Sequence, residues 1–184
     1  MRNYIVLCFF LKFTILFSQV EKILVDKENS YVKYKASHFL HDWSGSNNNL
    51  FGALIINNTK IEKIAIIAFV KDFDSNNPNR DSHAHEVLEI LKYPQIKFLS
   101  KTIDLSKKSL LVRGEIDFHG KIIEKDVYIE MFEDQRRFKL KGKFELYLTD
   151  FEIKLPSFML KKIKDRINIF FQIEFIKEID IIDK

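Results

Sequence analysis

The sequence predicts an all-β protein, a barrel or a sandwich of short antiparallel strands, about eight if it closes as a barrel, with one or two short helices. Three observations predict it. Apolar and polar residues alternate with period two along most of the chain, as they do in strands that bury one face. The alternating runs are short and separated by polar turn residues. Only one stretch carries its apolar residues at helical spacing.

Val32, Tyr34 and Ala36 open the series on one face of a first strand. The runs Leu50 to Ile56 and Ile64 to Val70, parted by the turn residues Asn57-Asn58-Thr59, are apolar on both faces and should be covered on the outside. Ser44 to Asn49 and Asp74 to Asn79 read as loops, because Asn and Ser favour turns. From Asp81 to Leu91, Ala84, Val87, Leu88 and Leu91 recur at helical spacing; Asp81 or Ser82 can cap the start and Tyr93-Pro94 forces an end. A strand through Phe98 follows, then Val112, Ile116 and Phe118, with Ser106 to Ser109 as the turn between them. Phe118-His119-Gly120-Lys121 reads as a tight hairpin, with Gly120 free to take positive φ. Val127, Ile129 and Met131 form the next face, then Phe138, Leu140, Phe144, Leu146 and Leu148 against an opposite face of mostly lysines. A second short helix or loop is assigned to Ser157 to Lys164, and Ile167, Ile169, Phe171, Ile173 and Phe175 complete the set.

At 184 residues the chain suits one domain. Residues 1–18 read as a secretory signal peptide, with Arg2 in a positive n-region, an apolar stretch through Phe17, and small Ser18 before the cut. The mature domain is then 19–184, exported to the periplasm or secreted. Loss of Arg2 and Lys12 lowers the formal charge from +4 to +2, which weakens any argument for a nucleic-acid partner. Cys8, the single cysteine, leaves with the leader, so no disulfide staples the fold.

Little in the chain anchors chemistry. His83 and His85 invite a metal reading with His38, His41 and His119, but residues two apart on a helix point in nearly opposite directions; no metal site is assigned. There is no Gly-x-Ser-x-Gly elbow, no mature cysteine and no clustered glycine loop, so no catalytic residue is assigned and the chain is not read as an enzyme. Glu115 with Asp117, and the stripe Arg137, Lys139, Lys141, Lys143, lie on polar outer faces where charge serves solubility. The concentrated inward faces remain. An eight-stranded barrel is just wide enough to be filled by side chains or to hold one slender ligand, and both readings stay open. Val32, Tyr34, Leu54, Ile66, Ala68, Phe98, Ile116, Phe138, Phe144, Ile169 and Phe171 should face that interior.

Two blocks carry a family resemblance. Asn79-Arg80-Asp81-Ser82-His83 followed by Leu91-Lys92-Tyr93-Pro94-Gln95-Ile96-Lys97-Phe98 resembles the pattern Arg-Asp-x-His, short helix, Tyr-Pro, strand, of the YceI-like, polyisoprenoid-binding family. Val112 to Gly120, with Gly114, His119 and Gly120 in place, resembles its second block, Gly-x-Leu-x-Ile-His-Gly. The likeness runs from about Val25 to Phe175. It implies a lipocalin-like periplasmic barrel whose lumen takes a long apolar chain such as a polyprenyl, quinone or acyl tail. Arg80, Asp81, His83, Tyr93, Pro94, Gly114, His119 and Gly120 are then structural motif residues, with Asp81 as a cap and Arg80 as its ion-pair partner. The chain departs from the pattern after Gly120, where Val-Thr-Lys becomes Lys121-Ile122-Ile123, and at Leu148 to Ile153, where Arg-x-x-Phe-Gly-Ile loses its Arg and its Gly.

The expectation is therefore a lipid carrier or buffer, with no cofactor beyond a bound isoprenoid or fatty-acyl lipid, an apolar lipid as its partner, transient contact with a membrane surface, and no nucleic acid. A solidly packed structural or interaction module is the alternative, and a metal-dependent activity built on the histidines a third. Amino-terminal sequencing of the exported protein should find a mature start near Gln19; a chain still beginning at Met1 in the membrane fraction contradicts the leader.

Overall fold

The computed structural model describes residues 20–106, 109–158 and 161–177. Residues 1–18, expected to be a signal peptide, and the centre of the Ser106–Ser109 turn lie outside the described residues. Among those residues eleven strands form: β1 Val20–Ser37, β2 Asp42–Asn47, β3 Leu50–Asn57, β4 Lys60–Phe69, β5 Gln95–Ser106, β6 Ser109–Phe118, β7 Lys121–Glu133, β8 Arg137–Tyr147, β9 Ser157–Phe158, β10 Lys161–Lys162 and β11 Arg166–Ile176, with one α-helix, α1, at Pro78–Val87.

All pairings are antiparallel, and the meander β3 to β8 continues to β11, which returns to β1 and closes an eight-stranded barrel. β2 and β3 together serve as one interrupted strand. β3 pairs with Val20–Leu24 of β1 and β2 with Val32–Ser37. The break at Asn48-Asn49 lies opposite the β1 bulge between Asp26 and Tyr31. Asn47, fully buried, fixes the break by donating to the Phe69 carbonyl at 3.0 Å and accepting from the Asn49 N–H at 2.7 Å.

The hairpins follow turn chemistry. Asn58 and Thr59 join β3 to β4, and His119 and Gly120 join β6 to β7; both central residues have positive φ in each, as a right-twisted two-residue hairpin needs. One end of the barrel is packed shut by Ile23, Leu54, Ile56, Ile61, Leu110, Phe138 and Phe175, all at most 8% exposed. The other end carries α1, the β1–β2 loop and the paired strands β9 and β10.

Several sequence expectations need correction. The helix starts earlier than Asp81: Pro78 occupies the first turn and Asn77 is the cap, its side chain accepting from the Arg80 N–H at 3.1 Å. Asp81 instead accepts from the Ser75 N–H at 3.2 Å, and no Arg80–Asp81 ion pair forms among the described residues. Leu91 falls beyond the helix and is fully exposed. Ser44 to Asn47 are strand, drawn in by pairing with β1, and Ser157–Phe158 pair with Lys161–Lys162 as short antiparallel strands where a helix or loop was expected. No element among the described residues covers the outer face of β3 and β4. Phe51 and Phe69 meet there edge to face at 5.7 Å, and the Lys27 ammonium sits 3.3 Å from the Phe51 ring centroid, so a cation shields the rings in place of a packed layer.

Gly114 is required for its missing side chain. A Cβ there would lie 2.5 Å from the Phe98 ring and 2.8 Å from the Leu99 carbonyl oxygen, which belongs to backbone held in the ladder. Gly114→Ala should cost about 1–3 kcal/mol by overpacking, lowering the melting temperature by roughly 2–4 °C per kcal/mol in a domain of this size. An unchanged melting curve would show that Phe98 and β5 yield freely.

Candidate ligand cavity

A cavity of about 290 Å³ occupies the barrel above the packed end. Its wall is apolar: Val32 and Ala36 of β1, Ile64, Ile66 and Ala68 of β4, Phe98 of β5, Ile116 and Phe118 of β6, Leu140, Phe144 and Leu146 of β8, and Ile167 to Ile173 at alternate positions of β11. The lined stretch runs from Leu140 on β8 to Leu148, just past the end of that strand. At about 3.3 Å per residue and a barrel tilt near 40°, its depth is on the order of 20 Å.

Glycines keep this space open. Gly142 stands opposite Phe171 in the β8–β11 register, and a Cβ on it would lie 2.5 Å from that ring. The Phe171 and Phe98 rings therefore lie over glycines along the wall rather than across the lumen.

The polar groups collect at the upper end. Tyr34, Trp43, Arg80, Asp81, His83 and His85 all line the cavity there. The Trp43 indole and the Tyr34 phenol both border this end, and the Arg80 guanidinium lies 5.9 Å from the Trp43 ring centroid. Burial, with the nearby Asp81 carboxylate adding to it, pushes the Tyr34 phenol above its ordinary pKa, so it remains a neutral donor. The His83 side chain is 62% exposed, so this end of the cavity reaches solvent. Among the described residues no three His, Cys, Asp or Glu side chains gather to hold a metal ion.

Of the residues expected in the interior, Val32, Tyr34, Ile66, Ala68, Phe98, Ile116, Phe144, Ile169 and Phe171 line the cavity. Leu54 and Phe138 face inward but lie in the packed end, 0% and 3% exposed, because the barrel is filled below the level of Leu140. Sequence reasoning missed Trp43, Phe73, His85 and Ile163 as lining residues. The alternation of Trp43, Gly45 and Asn47 was a signal for the first of these; His85 lies on α1, off the apolar positions its spacing marked, and Phe73 and Ile163 sit in connections with no period to read.

The remaining motif residues hold the upper end together. His119 Nδ1 lies 3.0 Å from the Phe151 carbonyl oxygen, which can only accept, so the proton belongs on Nδ1. Its ring lies tilted against Tyr93 with centroids 4.4 Å apart, and Nε2 is 3.1 Å from a Glu89 carboxylate oxygen but out of line for a hydrogen bond. The Pro94 carbonyl accepts from the Val70 N–H at 3.0 Å, tying the segment after α1 to the end of β4.

A YceI-like domain model matches residues 24–175. The chain belongs to the YceI-like family. Among solved structures it is similar to BcnA of Burkholderia cenocepacia (16% identity, TM-score 0.74, covering 82% of this chain and 98% of that one). It is also similar to a polyisoprenoid-binding domain from Saccharophagus degradans implicated in plant cell wall breakdown (10% identity, TM-score 0.70, covering 87% and 100%). A third is the Campylobacter jejuni YCEI protein (13% identity, TM-score 0.56, covering 97% and 100%). At these identities the likeness is one of fold. No curated protein matches the sequence.

Two departures from the family pattern meet in space. Lys121 forms an ion pair with Glu152 at 2.6 Å. Glu152 stands where the pattern has glycine and adopts φ 56°, ψ 26°. The left-handed conformation costs a non-glycine residue about 1–2 kcal/mol, against which glycine's extra freedom in the unfolded chain costs about 0.5–1 kcal/mol. An exposed ion pair adds little. Glu152→Gly should therefore stabilise the protein by about 0.5–1 kcal/mol, the difference between those two costs, read as a raised urea midpoint. A lowered midpoint would show that the Lys121 pair outweighs the backbone strain.

Proposed function

We propose that this protein binds one long apolar chain, an isoprenoid, quinone or acyl tail, in the upper part of its barrel, and serves as an exported carrier or buffer in the periplasm or outside the cell. The observation that carries the reading is the cavity itself: deep, narrow, apolar along its wall, closed below and polar only at the mouth. Each methylene buried there contributes up to about 0.8 kcal/mol, so a tail needs few polar contacts to bind tightly. The depth is comparable to the roughly 15 Å that one leaflet contributes to a bilayer's hydrocarbon core of about 30 Å. The polyisoprenoid-binding description of the Saccharophagus degradans domain supports the same ligand class. Tyr34, Trp43 and Arg80 at the mouth would meet the head group. Binding rather than catalysis fits this set, which pairs no nucleophile with a base.

Organic extraction of purified protein followed by mass spectrometry should yield a lipid with such a tail. Ala68, 6% exposed and on the cavity wall, gives the discriminating variant. Ala68→Phe should displace the lipid while the empty protein stays folded. If the native protein yields no lipid and Ala68→Phe only melts earlier, by the roughly 1–3 kcal/mol typical of overpacking, the barrel is a packed module and the carrier reading fails.

A further inference from the structure

We propose that the β1–β2 loop and the adjoining segment Lys161–Lys164 form a lip that seats the cavity mouth on an anionic membrane surface. Phe39 and Leu40, at the tip of the loop, are 50% and 52% exposed. They are held in that position. The His38 N–H donates to the His41 carbonyl at 2.9 Å, closing the turn beneath them, and buried His38 places Nε2 3.1 Å from the Lys161 carbonyl oxygen of the adjoining segment. The Lys164 N–H donates to the Ser37 carbonyl at 2.9 Å, and the Lys161 ammonium lies 4.4 Å from the Phe39 ring centroid. Loop and segment are thus one unit. An apolar tip fixed in water by buried hydrogen bonds costs hydration without serving the core.

The charge around the tip has mostly one sign. Across residues 35–42 and 154–165, Lys35, Lys154, Lys161, Lys162 and Lys164, all exposed, stand against only Asp42 and Asp165. Asp165 is already engaged, accepting from the Thr149 N–H and hydroxyl at 2.9 and 2.6 Å. The basic stripe on β8 differs, since Arg137 and Lys139 are turned to Glu174. Apolar residues flanked by lysines match a bilayer interface, where the first enter the headgroup region and the second meet anionic lipids. An acidic polypeptide would be met by the lysines but leaves Phe39 and Leu40 without a partner.

The lip is continuous with the cavity. Pro156 and Ile163, flanking β9 and β10, line it, as do Ala36 and Trp43 on either side of the loop. A bilayer seated on the lip would face the opening, so that a tail passes between membrane and barrel without crossing water.

Flotation with phosphatidylcholine vesicles, with and without phosphatidylglycerol, tests the surface. The full mature chain should float with the anionic vesicles and be released by high salt. Each lysine near an anionic surface is worth about fivefold in partitioning, so Lys161→Glu with Lys162→Glu should reduce binding at least tenfold. Phe39→Ser with Leu40→Ser should reduce it comparably, at an unchanged melting temperature. Lys60→Glu with Lys63→Glu, exposed at the opposite end, should leave it unchanged. No flotation overturns the proposal, as does equal loss with the opposite-end pair, or full binding by the Phe39/Leu40 variant. Capture by soluble polyglutamate in place of vesicles would assign the lip to an acidic protein and overturn it too. Mass spectrometry of extracts from the same variants keeps the two readings apart: lip variants should retain cavity lipid, and a native protein that floats with an empty cavity would sink the carrier reading while leaving the lip standing.

Discussion

The pairing of β1 with β11 is the constraint on which the rest of the structure depends. It joins the first and last strands of the barrel, from Leu24↔Ile176 to Lys35↔Asn168, and removes the two open edges that an eight-stranded meander would otherwise expose. The ladder is interrupted between Asp26 and Tyr31, and the gap is bridged by Ser30, whose hydroxyl accepts from the Glu174 N–H at 2.9 Å and donates to the Glu174 carbonyl at 3.4 Å. The bulge in turn covers the Glu174 carboxylate, 3% exposed, which is compensated by Lys139 at 2.7 Å and by the Arg137 guanidinium at 3.7 Å. A buried carboxylate needs such partners, because losing one leaves an uncompensated charge out of water. The seam therefore depends on charged residues that would read as ordinary surface on an isolated strand.

Closure creates an interior, but the distribution of side-chain volume decides what occupies it. Below Leu140 the inward positions carry Leu, Ile and Phe that meet across the barrel and fill it. Above, Gly114 and Gly142 leave recesses that take the rings of Phe98 and Phe171, and Ala36 and Ala68 leave room beside them. Large and small residues on neighbouring strands thus hold the aromatic mass against the wall. The result is a blind tube rather than a pore or a solid core.

The upper end is built from connections, not strands. α1 and the residue after it bear on the opening through Ala84, Val87 and Leu88, and the helix is set in place by the Asn77 cap and by Asp81 accepting from Ser75. His119, Tyr93 and Pro94 bind the β6–β7 turn, the segment after α1 and the end of β4 into one layer. Leu148, where the family pattern has arginine, lines the cavity, so this chain's mouth is less cationic on that side. Lys121 and Glu152 alter the same rim from outside it.

Much of this was legible in the sequence. Period-two alternation marked the strands and their inward faces because a pleated strand sends successive side chains to opposite sides, whatever its neighbours. Asn57-Asn58-Thr59 marked a turn and His119-Gly120 a tight hairpin, since Asn favours turns and Gly takes positive φ freely. The Arg80 to Tyr93 and Gly114 to Gly120 blocks carried the family. Alternation says only that a residue points inward, however, and not how far along the barrel it lies. That Leu54 and Phe138 belong to the packed end, and Ile66 and Phe144 to the cavity, was decided by the register of eight strands together. The pairing of Ser157–Phe158 with Lys161–Lys162, and the lack of a described element over the outer face of β3 and β4, likewise emerged only in the folded chain. A strand or helix period is a property of the local chain; volume, depth and cover belong to the closed barrel, where residues more than a hundred positions apart meet.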